Sequence, residues 1–458
     1  MRSGTLGIVV SVVGCIGGQA FGGAAAQKAW EALFAEADPA AATKQIDAVL
    51  AACGGDAAKL KALIAADAAY EAFTPGWKRA ALRVGQGQAA CDVEFLFRVP
   101  KGYSPKRSFP LLLAAHWQDG SGDGIGRSME ILLGKAADDY VLLAPTLPDK
   151  ERGFVAAPLQ VEGYLRPLAW ARVNLNIDDD RIYVAGYGQG GYVAWHLAVM
   201  HPRLFAAAVP MAGLPYFQGA PYTAACYLEN LDHLPVWAVW GRNDRGGPAQ
   251  LTNAAASRLA AERLKELSNA RFKGTELPGV GHYQCWPKGS DFVRFLSAHK
   301  RRREPEKFRH YFHLPAHARG YYVEALKGGR RPMSFDRAFD VDVPSTQPRE
   351  PTRQELFDAV SKHLARRLFK MWVELDRSAN ALQVRPFGIT KVRVFVTEGL
   401  FDLSKPAELR FGRAKWTHQV PLSPRCILLH YAATRDAARL VHNEIDLQIL
   451  GETSVRYE

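Results

Sequence analysis

The chain has 458 residues, of which 48% are hydrophobic and 23% charged, and its formal charge is +12. This composition excludes an intrinsically disordered chain and a collagen-like repeat, and the length indicates two or three globular domains. Most of the excess charge lies in residues 300–458, which hold 29 Lys and Arg against 19 Asp and Glu. A basic segment of this kind is typical of proteins that contact an acidic polysaccharide, an anionic membrane surface or nucleic acid.

The N-terminus has the layout of a secretory signal peptide. A basic start precedes an apolar run from Leu6 to Ile16, and alanines follow at 24–26. Because the run is rich in glycine and too short to span a bilayer, we predict a signal peptide at residues 1–26 and export to the periplasm or the medium. Two alternatives are a lipoprotein anchor at Cys15 and an N-terminal core helix. Export argues against nucleic acid as a partner, and we expect no transmembrane span after signal removal.

The six cysteines lie far apart in the sequence, and removal of the signal would leave five, an odd number that cannot all pair within one chain. Their spacing matches no CxxC or zinc-ligand pattern. An exported domain of this size does not need disulfides for its stability. We therefore predict neither a bound metal nor a cofactor.

Residues 27–76 are predicted to form a small helical region. The segment is rich in alanine, and Leu60, Leu63 and Ile64 recur at helical spacing. The glycine pair at 54–55 separates two helices. We expect this region to pack on the main domain or to lead into it.

Residues 78–302 alternate between predicted strands and helices. Apolar residues alternate in 91–99, as in a half-buried strand, and continuous apolar runs follow, as in strands buried on both faces. Strands that alternate with helices form a mostly parallel sheet with helices on both faces, so the predicted fold class is α/β. The buried strands are predicted at 110–115, 140–144, 181–185, 205–210 and 236–240.

The pattern changes after this α/β region. Residues 300–305 are charged and end with Pro305, which favours a linker. A helix is predicted from about Thr352 to Lys370, and short runs of alternating apolar residues follow it. We therefore predict a β-rich accessory domain at 308–458, whose positive charge favours contact with an anionic polymer. The alternative is a surface of scattered, solvated charges.

A glycine-rich turn joins the strand predicted at 181–185 to the helix that begins at Gly191. It reads Gly186-Tyr187-Gly188-Gln189-Gly190, the spacing of the G-x-S-x-G nucleophile elbow. In that motif a strained turn lifts a serine above the sheet, and the flanking glycines let the strand and the helix approach closely. Gly188 takes the place of the serine. A glycine has no side chain with which to attack a carbonyl carbon.

The residues around this turn, 180–191 and 201–210, resemble exported esterases and peptidases of the prolyl-oligopeptidase-like α/β-hydrolases, including feruloyl-esterase and polyester-depolymerase relatives. The resemblance covers about residues 80–300. It implies an α/β-hydrolase fold, with residue 188 at the position of the nucleophilic serine.

The same resemblance implies the other two triad positions. The segment that ends at Asp244 resembles the strand and turn that present the catalytic acid, and the G-x-G-H loop that ends at His282 resembles the loop that presents the base. The order of nucleophile, acid and histidine along the chain is the order of this fold. Asp244 would then hold the tautomer of His282, which would take the proton of a serine if Gly188 were one.

The loop after the strand at 110–115 departs from the family pattern. The family has a His-Gly segment there, whose backbone N–H groups stabilise the oxyanion. This chain has His116-Trp117, so the resemblance places the oxyanion region at His116, Trp117 and Gln189, with a bulky residue where a glycine is expected. We expect Trp117 to restrict the backbone and to fill the cleft.

Three hypotheses follow from these residues. The first is a degenerate serine hydrolase, whose cleft binds a small-molecule ester, a peptide or a polysaccharide without serine-dependent turnover. The second is an active hydrolase with a relocated nucleophile, which would be Cys285, Ser121 or a water molecule activated by His282. The third is a scaffold or adhesion protein of the cell envelope.

Overall fold

In the computed structural model, the described residues are 23–35, 39–66, 70, 72–85, 87, 90–147, 153–215, 223–246, 252–267, 269, 271–329 and 350–449. The helices in these ranges are α1 (Gly23–Ala35), α2 (Pro39–Ala52), α3 (Ala57–Ala66), α4 (Gly122–Leu133), α5 (Pro158–Asn174), α6 (Gln189–Met200), α7 (Asn253–Glu266), α8 (Gly289–Ser297), α9 (Arg353–Ala365) and α10 (Pro424–Thr434).

The strands fall into an N-terminal and a C-terminal set. The first set is β1 (Gly76–Val84), β2 (Cys91–Val99), β3 (Phe109–Ala115), β4 (Val141–Pro145), β5 (Ile177–Tyr187), β6 (Ala207–Met211), β7 (Val236–Gly241) and β8 (Phe272–Leu277). The second set is β9 (Lys307–Phe312), β10 (Arg319–Gly320), β11 (Val323–Gly328), β12 (Phe369–Asp376), β13 (Ala381–Phe387), β14 (Ile389–Thr397), β15 (Ala407–Phe411), β16 (Ala414–His418) and β17 (Val441–Gln448).

The first set forms one sheet of eight strands in the order β1-β2-β4-β3-β5-β6-β7-β8. Strand β2 is antiparallel to both of its neighbours, and β3 to β8 are parallel to one another. The predicted α/β-hydrolase arrangement, with a mostly parallel sheet, is confirmed. The carboxyl ends of β3, β5, β7 and β8 therefore meet at one edge, where ligands bind in parallel sheets.

Side chains of the central strand β3 alternate between two hydrophobic clusters. Leu111 and Leu113 join residues of α5, α6 and α7 on one face of the sheet, while Leu112 and Ala114 join residues of α4 and α8 on the other. Because helices cover both faces, a strand at the centre of the sheet has to be apolar at every position. This burial explains the continuous apolar run in the sequence.

The second set forms a sheet of four strands, β10-β11-β14-β17, and a sheet of five, β16-β15-β13-β12-β9. Both sheets contribute to one core, which includes Phe308, Val394 and Leu409. The predicted β-rich C-terminal part is therefore present. Helix α9 ends at Ala365, earlier than predicted, because the chain enters strand β12 at Phe369.

The N-terminal region contains three described helices rather than two, and it packs against the C-terminal part. Trp30 of α1 stacks on Tyr431 of α10 with ring centroids 5.7 Å apart. Residues of α1, α2 and α3 share a hydrophobic cluster with α10, and Lys61 of α3 forms an ion pair with Glu398. The apolar faces of these helices are therefore covered by α10, which the sequence did not predict.

The stretch at 300–305 is not an exposed linker. Arg301 is buried and contacts Asp180 in strand β5 of the main sheet and Asp436 after α10. Arg303 also forms an ion pair with Asp180. This stretch therefore joins the two parts of the molecule through buried charges.

The predicted signal at 1–26 lies outside the described residues except for its last four residues, which form the first turn of α1, and Cys15 also lies outside them. The five cysteines within the described ranges form no disulfide with one another. Of the helices in those ranges, none combines the length and the apolar composition that crossing a membrane requires.

Candidate active site

Gly188 lies at the tip of the turn between β5 and α6, with φ +58° and ψ −118°. A positive φ of this size is strained for a residue with a side chain, and glycine adopts it at little cost. Gly186 and Gly190 are required for a different reason, since a Cβ on Gly190 would lie 1.9 Å from the carbonyl oxygen of Ala115. The turn therefore keeps the tight geometry of a nucleophile elbow around a residue without a side chain.

Asp244 and His282 lie together beside Gly188. Asp244 follows β7 and is 1% exposed, and His282 follows β8 in a short helical turn. The Nδ1 atom of His282 lies 3.1 Å from both carboxylate oxygens of Asp244. A Cβ built on Gly188 would lie 3.3 Å from Nε2 of the same ring. The structure thus brings all three predicted triad positions into one constellation.

Asn253, the first residue of α7, supports this pair. Its Nδ2 donates to the carbonyl oxygen of Ala212 at 3.0 Å, and its Oδ1 accepts from the hydroxyl of Tyr192 at 2.9 Å. These two bonds fix the orientation of the amide, so that Nδ2 also faces the Asp244 oxygens at 3.3 and 3.4 Å. The backbone N–H of Gly246 donates to Asp244 at 2.9 Å. The buried carboxylate is therefore held by donors other than the histidine.

The side chain of Tyr187, the residue before Gly188, holds the loop that carries His282. Its hydroxyl donates to the carbonyl oxygen of His282 and accepts from the backbone N–H of Cys285 at 3.2 Å. Its ring stacks on Trp286, with centroids 4.3 Å apart. Tyr187 and Asn253 were not predicted as site residues, because the groups that they contact are distant in the sequence and no motif links them.

The side chain of His116 stabilises the loop after β3 and does not face position 188. It is buried, its Nδ1 lies 2.7 Å from the carbonyl oxygen of Trp117, and its Nε2 accepts from the backbone N–H of Leu147 at 3.1 Å. These partners require a proton on Nδ1 and a lone pair on Nε2. Both ring nitrogens therefore serve the backbone.

The indole of Trp117 is folded back over the start of α4. A Cβ on Gly120 would lie 3.0 Å from the indole Nε1, and a Cβ on Gly124 would lie 3.2 Å from the ring edge. The two glycines thus leave room for the ring. The expectation that Trp117 fills the cleft is wrong, because the cleft beside it has a volume of about 760 Å³.

The side chain of Gln189 links two segments that line the cleft, one at Phe154 and the other at Gln118. Its Oε1 accepts from the backbone N–H of Phe154, and its Nε2 donates to Oε1 of Gln118 at 2.9 Å. Its backbone N–H belongs to the residue after the nucleophile position, which contributes one donor to the oxyanion hole in this fold. The N-terminus of α6 adds a partial positive charge at the same point.

The cleft is lined mainly by aromatic and amide side chains. The lining residues are Trp117, Gln118, Asp119, Ser128, Phe154, Val155, Tyr187, Gly188, Gln189, Tyr192, Gly246, Asn253, His282, Tyr283 and Trp286. Among the described residues, no three His, Cys, Asp or Glu side chains are arranged to hold a metal ion.

The two side chains considered as relocated nucleophiles have other roles. Ser121 is the N-cap of α4, where its hydroxyl accepts from the backbone N–H of Gly124 at 3.3 Å. Cys285 is buried, its thiol donates to the carbonyl oxygen of Gly281, and burial raises its pKa to about 12. A thiol with this pKa is protonated at neutral pH and is a poor nucleophile.

No family model matches the chain. Over 78 residues it is 37% identical to poly(3-hydroxyalkanoate) depolymerase C of Paucimonas lemoignei, a match that covers 17% of this chain and 18% of that protein. The chain thus spans under a fifth of the length of the curated relative that it matches.

Several solved structures resemble about half of this chain. A thermostable esterase is 21% identical, with a TM-score of 0.39, over 49% of this chain and 63% of the other. A ferulic acid esterase from Anaeromyces mucronatus is 13% identical, with a TM-score of 0.37, over 50% of this chain and 91% of the other. An acylaminoacyl peptidase is 15% identical, with a TM-score of 0.39, over 50% and 43%.

Proposed function

We propose that this protein is an esterase- or peptidase-like α/β-hydrolase whose cleft binds an ester-bearing or saccharide ligand without forming an acyl-enzyme at residue 188. The observation that carries the proposal is the glycine at the tip of an otherwise intact elbow, beside the paired Asp244 and His282. An acyl-enzyme needs a nucleophilic side chain within hydrogen-bonding distance of the base. Position 188 supplies none.

The chemistry of the cleft supports the ligand class. Aromatic side chains such as Trp117, Phe154 and Trp286 offer flat apolar surfaces, and the amide side chain of Gln118 lies beside them. Aromatic rings with a few placed polar groups are suited to acyl chains, aryl groups and sugar rings. The similarity to a polyester depolymerase supports an ester-bearing ligand, and a peptide is the alternative.

The test compares the unaltered protein with Gly188→Ser and Gly188→Ala. Each is treated with a fluorophosphonate, which modifies activated serines, and is then digested for mass spectrometry. We expect a label in the elbow peptide of Gly188→Ser alone, because His282 Nε2 lies within reach of a side chain at 188. Gly188→Ala controls for strain at the positive φ. A labelled cleft residue in the unaltered protein would contradict the proposal.

We also propose that the C-terminal part binds an anionic polysaccharide, through a face of its five-stranded sheet that combines aromatic and basic side chains. Trp372 on β12 is 46% exposed and lies opposite Arg385 on β13, near Phe387, which is 49% exposed. Arg410 on β15 lies directly opposite Lys415 on the neighbouring strand β16 of the same sheet. Exposed rings can stack on sugars, while cations attract carboxylates or sulfates.

Acidic side chains on this face do not cancel its positive charge. Glu374 contacts Arg385 at 3.1 Å, and Glu408 contacts both Arg410 and Lys415. Six basic side chains lie on this face against three acidic ones; the basic residues are Lys307, Arg309, Lys370, Arg385, Arg410 and Lys415, and the acidic residues are Glu374, Asp376 and Glu408. The excess of cations favours an anionic partner over a neutral one.

Retention of the full chain on immobilised alginate tests this second proposal. We expect Trp372→Ala to elute at a lower salt concentration than the unaltered protein, because one stacking ring is lost. Ile131→Ala is the matched control, since Ile131 is 81% exposed but lies on α4 in the main part. If both variants elute with the unaltered protein, this sheet face does not bind the polysaccharide.

We further propose that the protein is exported. The proposal is supported by the basic start, the short apolar run and the small residues of the N-terminal sequence. N-terminal sequencing of protein recovered from the medium or the periplasm tests it. A full-length chain found only inside the cell would contradict it.

A further inference from the structure

The space beside Gly188 adjoins His282, whose ring is oriented to act as a general base. The Nδ1 atom of His282 lies 3.1 Å from both oxygens of Asp244, a buried carboxylate that can only accept hydrogen bonds when ionised. The proton of the neutral ring therefore resides on Nδ1. This tautomer leaves the lone pair of Nε2 directed towards position 188.

The missing side chain leaves room at the point where that lone pair is directed. A Cβ on Gly188 would lie 3.3 Å from Nε2 of His282 and 3.5 Å from Cβ of Trp117. A serine would place its hydroxyl in the same region. With glycine at 188, a water molecule can occupy that region and donate a hydrogen bond to Nε2.

Three of the hydroxyl groups that line the cleft are engaged with other partners. Tyr187 donates to the carbonyl oxygen of His282, Tyr192 donates to Asn253, and Ser128 donates to the carbonyl oxygen of Gly124. The nearby thiol of Cys285 is buried and directed at Gly281. Water from the open cleft is therefore the nucleophile best placed to use the base.

We infer that Asp244 and His282 hydrolyse a bound ester by direct attack of water, without a covalent intermediate. This inference rests on the proposed ester-binding cleft. Nε2 of His282 removes a proton from water while the water oxygen bonds to the carbonyl carbon, and the negative charge passes to the carbonyl oxygen. Collapse of this oxyanion breaks the bond to the alcohol oxygen, which takes the proton from His282. The products are a carboxylic acid and an alcohol.

The N-terminus of α6 supplies the electrostatic part of the reaction. The backbone N–H of Gln189 follows position 188 directly, and the side-chain bonds of Gln189 to Phe154 and Gln118 hold this residue in place. Donors fixed in advance stabilise an oxyanion regardless of which nucleophile created it. Catalysis without the serine therefore keeps this contribution and loses the covalent step.

The experiment measures hydrolysis of p-nitrophenyl acetate by the full chain, after subtraction of the buffer rate. We expect turnover without an initial burst, at a rate above the about 10³-fold acceleration that the oxyanion hole and binding give without a complete triad, because the base activates the water. The rate is expected to be lower in D₂O, because a proton moves in the rate-limiting step. His282→Ala should lower it by at least about 10²-fold.

Two further variants separate base catalysis from structural effects. Gly188→Ala places a methyl group in the space assigned to water, so we expect at least a tenfold loss of turnover with binding retained. Asp244→Asn disturbs the tautomer of His282 and should also lower turnover. Binding of 4-nitroacetanilide, an amide analogue of the ester, is followed for each variant through the fluorescence of Trp117 and Trp286, which line the cleft.

The possible results distinguish this inference from the proposed function. Binding of the analogue without turnover of the ester would overturn the inference and leave the ligand-binding cleft in place. Turnover at an undiminished rate in His282→Ala, or an acetylated residue detected by mass spectrometry, would also overturn it. Absence of both binding and turnover would overturn the ester-binding proposal itself.

Discussion

The side chains around Gly188 hold one another in place without a side chain at 188. Tyr187 bonds to the backbone of the loop that carries His282, and Gln189 bonds to Phe154. Asn253 donates a hydrogen bond to the backbone of Ala212, although the two residues lie 41 positions apart in the sequence. A change of serine to glycine removes a nucleophile from such a site but leaves the rest of its geometry intact. The glycine therefore alters the chemistry more than the fold.

Tyr187→Phe is expected to destabilise the protein by about 1–3 kcal/mol, because the buried backbone N–H of Cys285 loses its acceptor. The free energy of unfolding, measured in urea, checks this value. Tyr283→Phe is the control, since Tyr283 is 87% exposed and should change the free energy by less than about 0.5 kcal/mol. Equal effects of the two substitutions would show that the Tyr187 hydroxyl contributes no specific bond.

At the scale of elements, the sequence predicts the inner strands of the main sheet and misses the edges. Strands β3 to β7 are apolar along most of their length because helices cover them on both faces. Strand β1 carries Lys78, Arg79 and Arg83, and β8 carries Lys273 and Glu276. Edge strands are partly exposed, so their sequences lack the continuous run that identifies a buried strand.

The same limit applies to the site and to the packing of helices. Asp244 and His282 are predictable because the segments that end at them resemble the acid turn and the G-x-G-H loop of the family, and Gly188 because the elbow is a local motif. The role of Asn253 depends on a contact with Ala212, 41 residues away, and α10 covers the N-terminal helices from the other end of the chain. Contacts of this kind leave no spacing pattern in a single sequence.

Arg301→Met is expected to cost about 3–5 kcal/mol of unfolding free energy, because removing one partner leaves buried charges without compensation. Arg301 contacts Asp436 at 2.8 Å and Asp180 at 3.2 Å. The matched control is Arg79→Met, whose exposed ion pair with Glu94 should contribute at most about 1 kcal/mol. A loss for Arg301→Met no larger than that of the control would mean that this stretch is less firmly held than its burial indicates.

At the scale of the whole molecule, a group of buried histidines lies where the two parts meet. His196 lies in α6 and His201 directly follows that helix in the main part, whereas His310, His313 and His317 belong to β9 and the segment after it. The ring of His317 lies between 5.4 and 5.7 Å from those of His196, His201 and His313. Packing of the C-terminal part on the main sheet therefore buries imidazoles from both sides.

Because of this burial, we expect acid to weaken the folded state well before most carboxylates titrate. Burial lowers the pKa of His310 and His317 to about 4 and that of His313 to about 3, and it holds the pKa values of His196 and His201 well below the ordinary range. The unfolded chain takes up protons near pH 6.5. The stability is therefore fully present above about pH 6.5 and is lost as the pH falls towards the folded-state pKa values.

The slope of the unfolding free energy against pH, measured in urea between pH 5 and 6.5, checks this expectation. Each buried neutral histidine adds up to about 1.4 kcal/mol per pH unit in that window, where unfolded carboxylates are still largely ionised. His317→Leu removes one of these imidazoles and should lower the slope by up to about 1.4 kcal/mol per pH unit, the contribution of one proton. At pH 8 the ring is neutral in both states, so any loss seen there reports packing alone. An unchanged slope for His317→Leu would mean that this imidazole takes up its proton in the folded protein, and that the junction of the two parts is open to water.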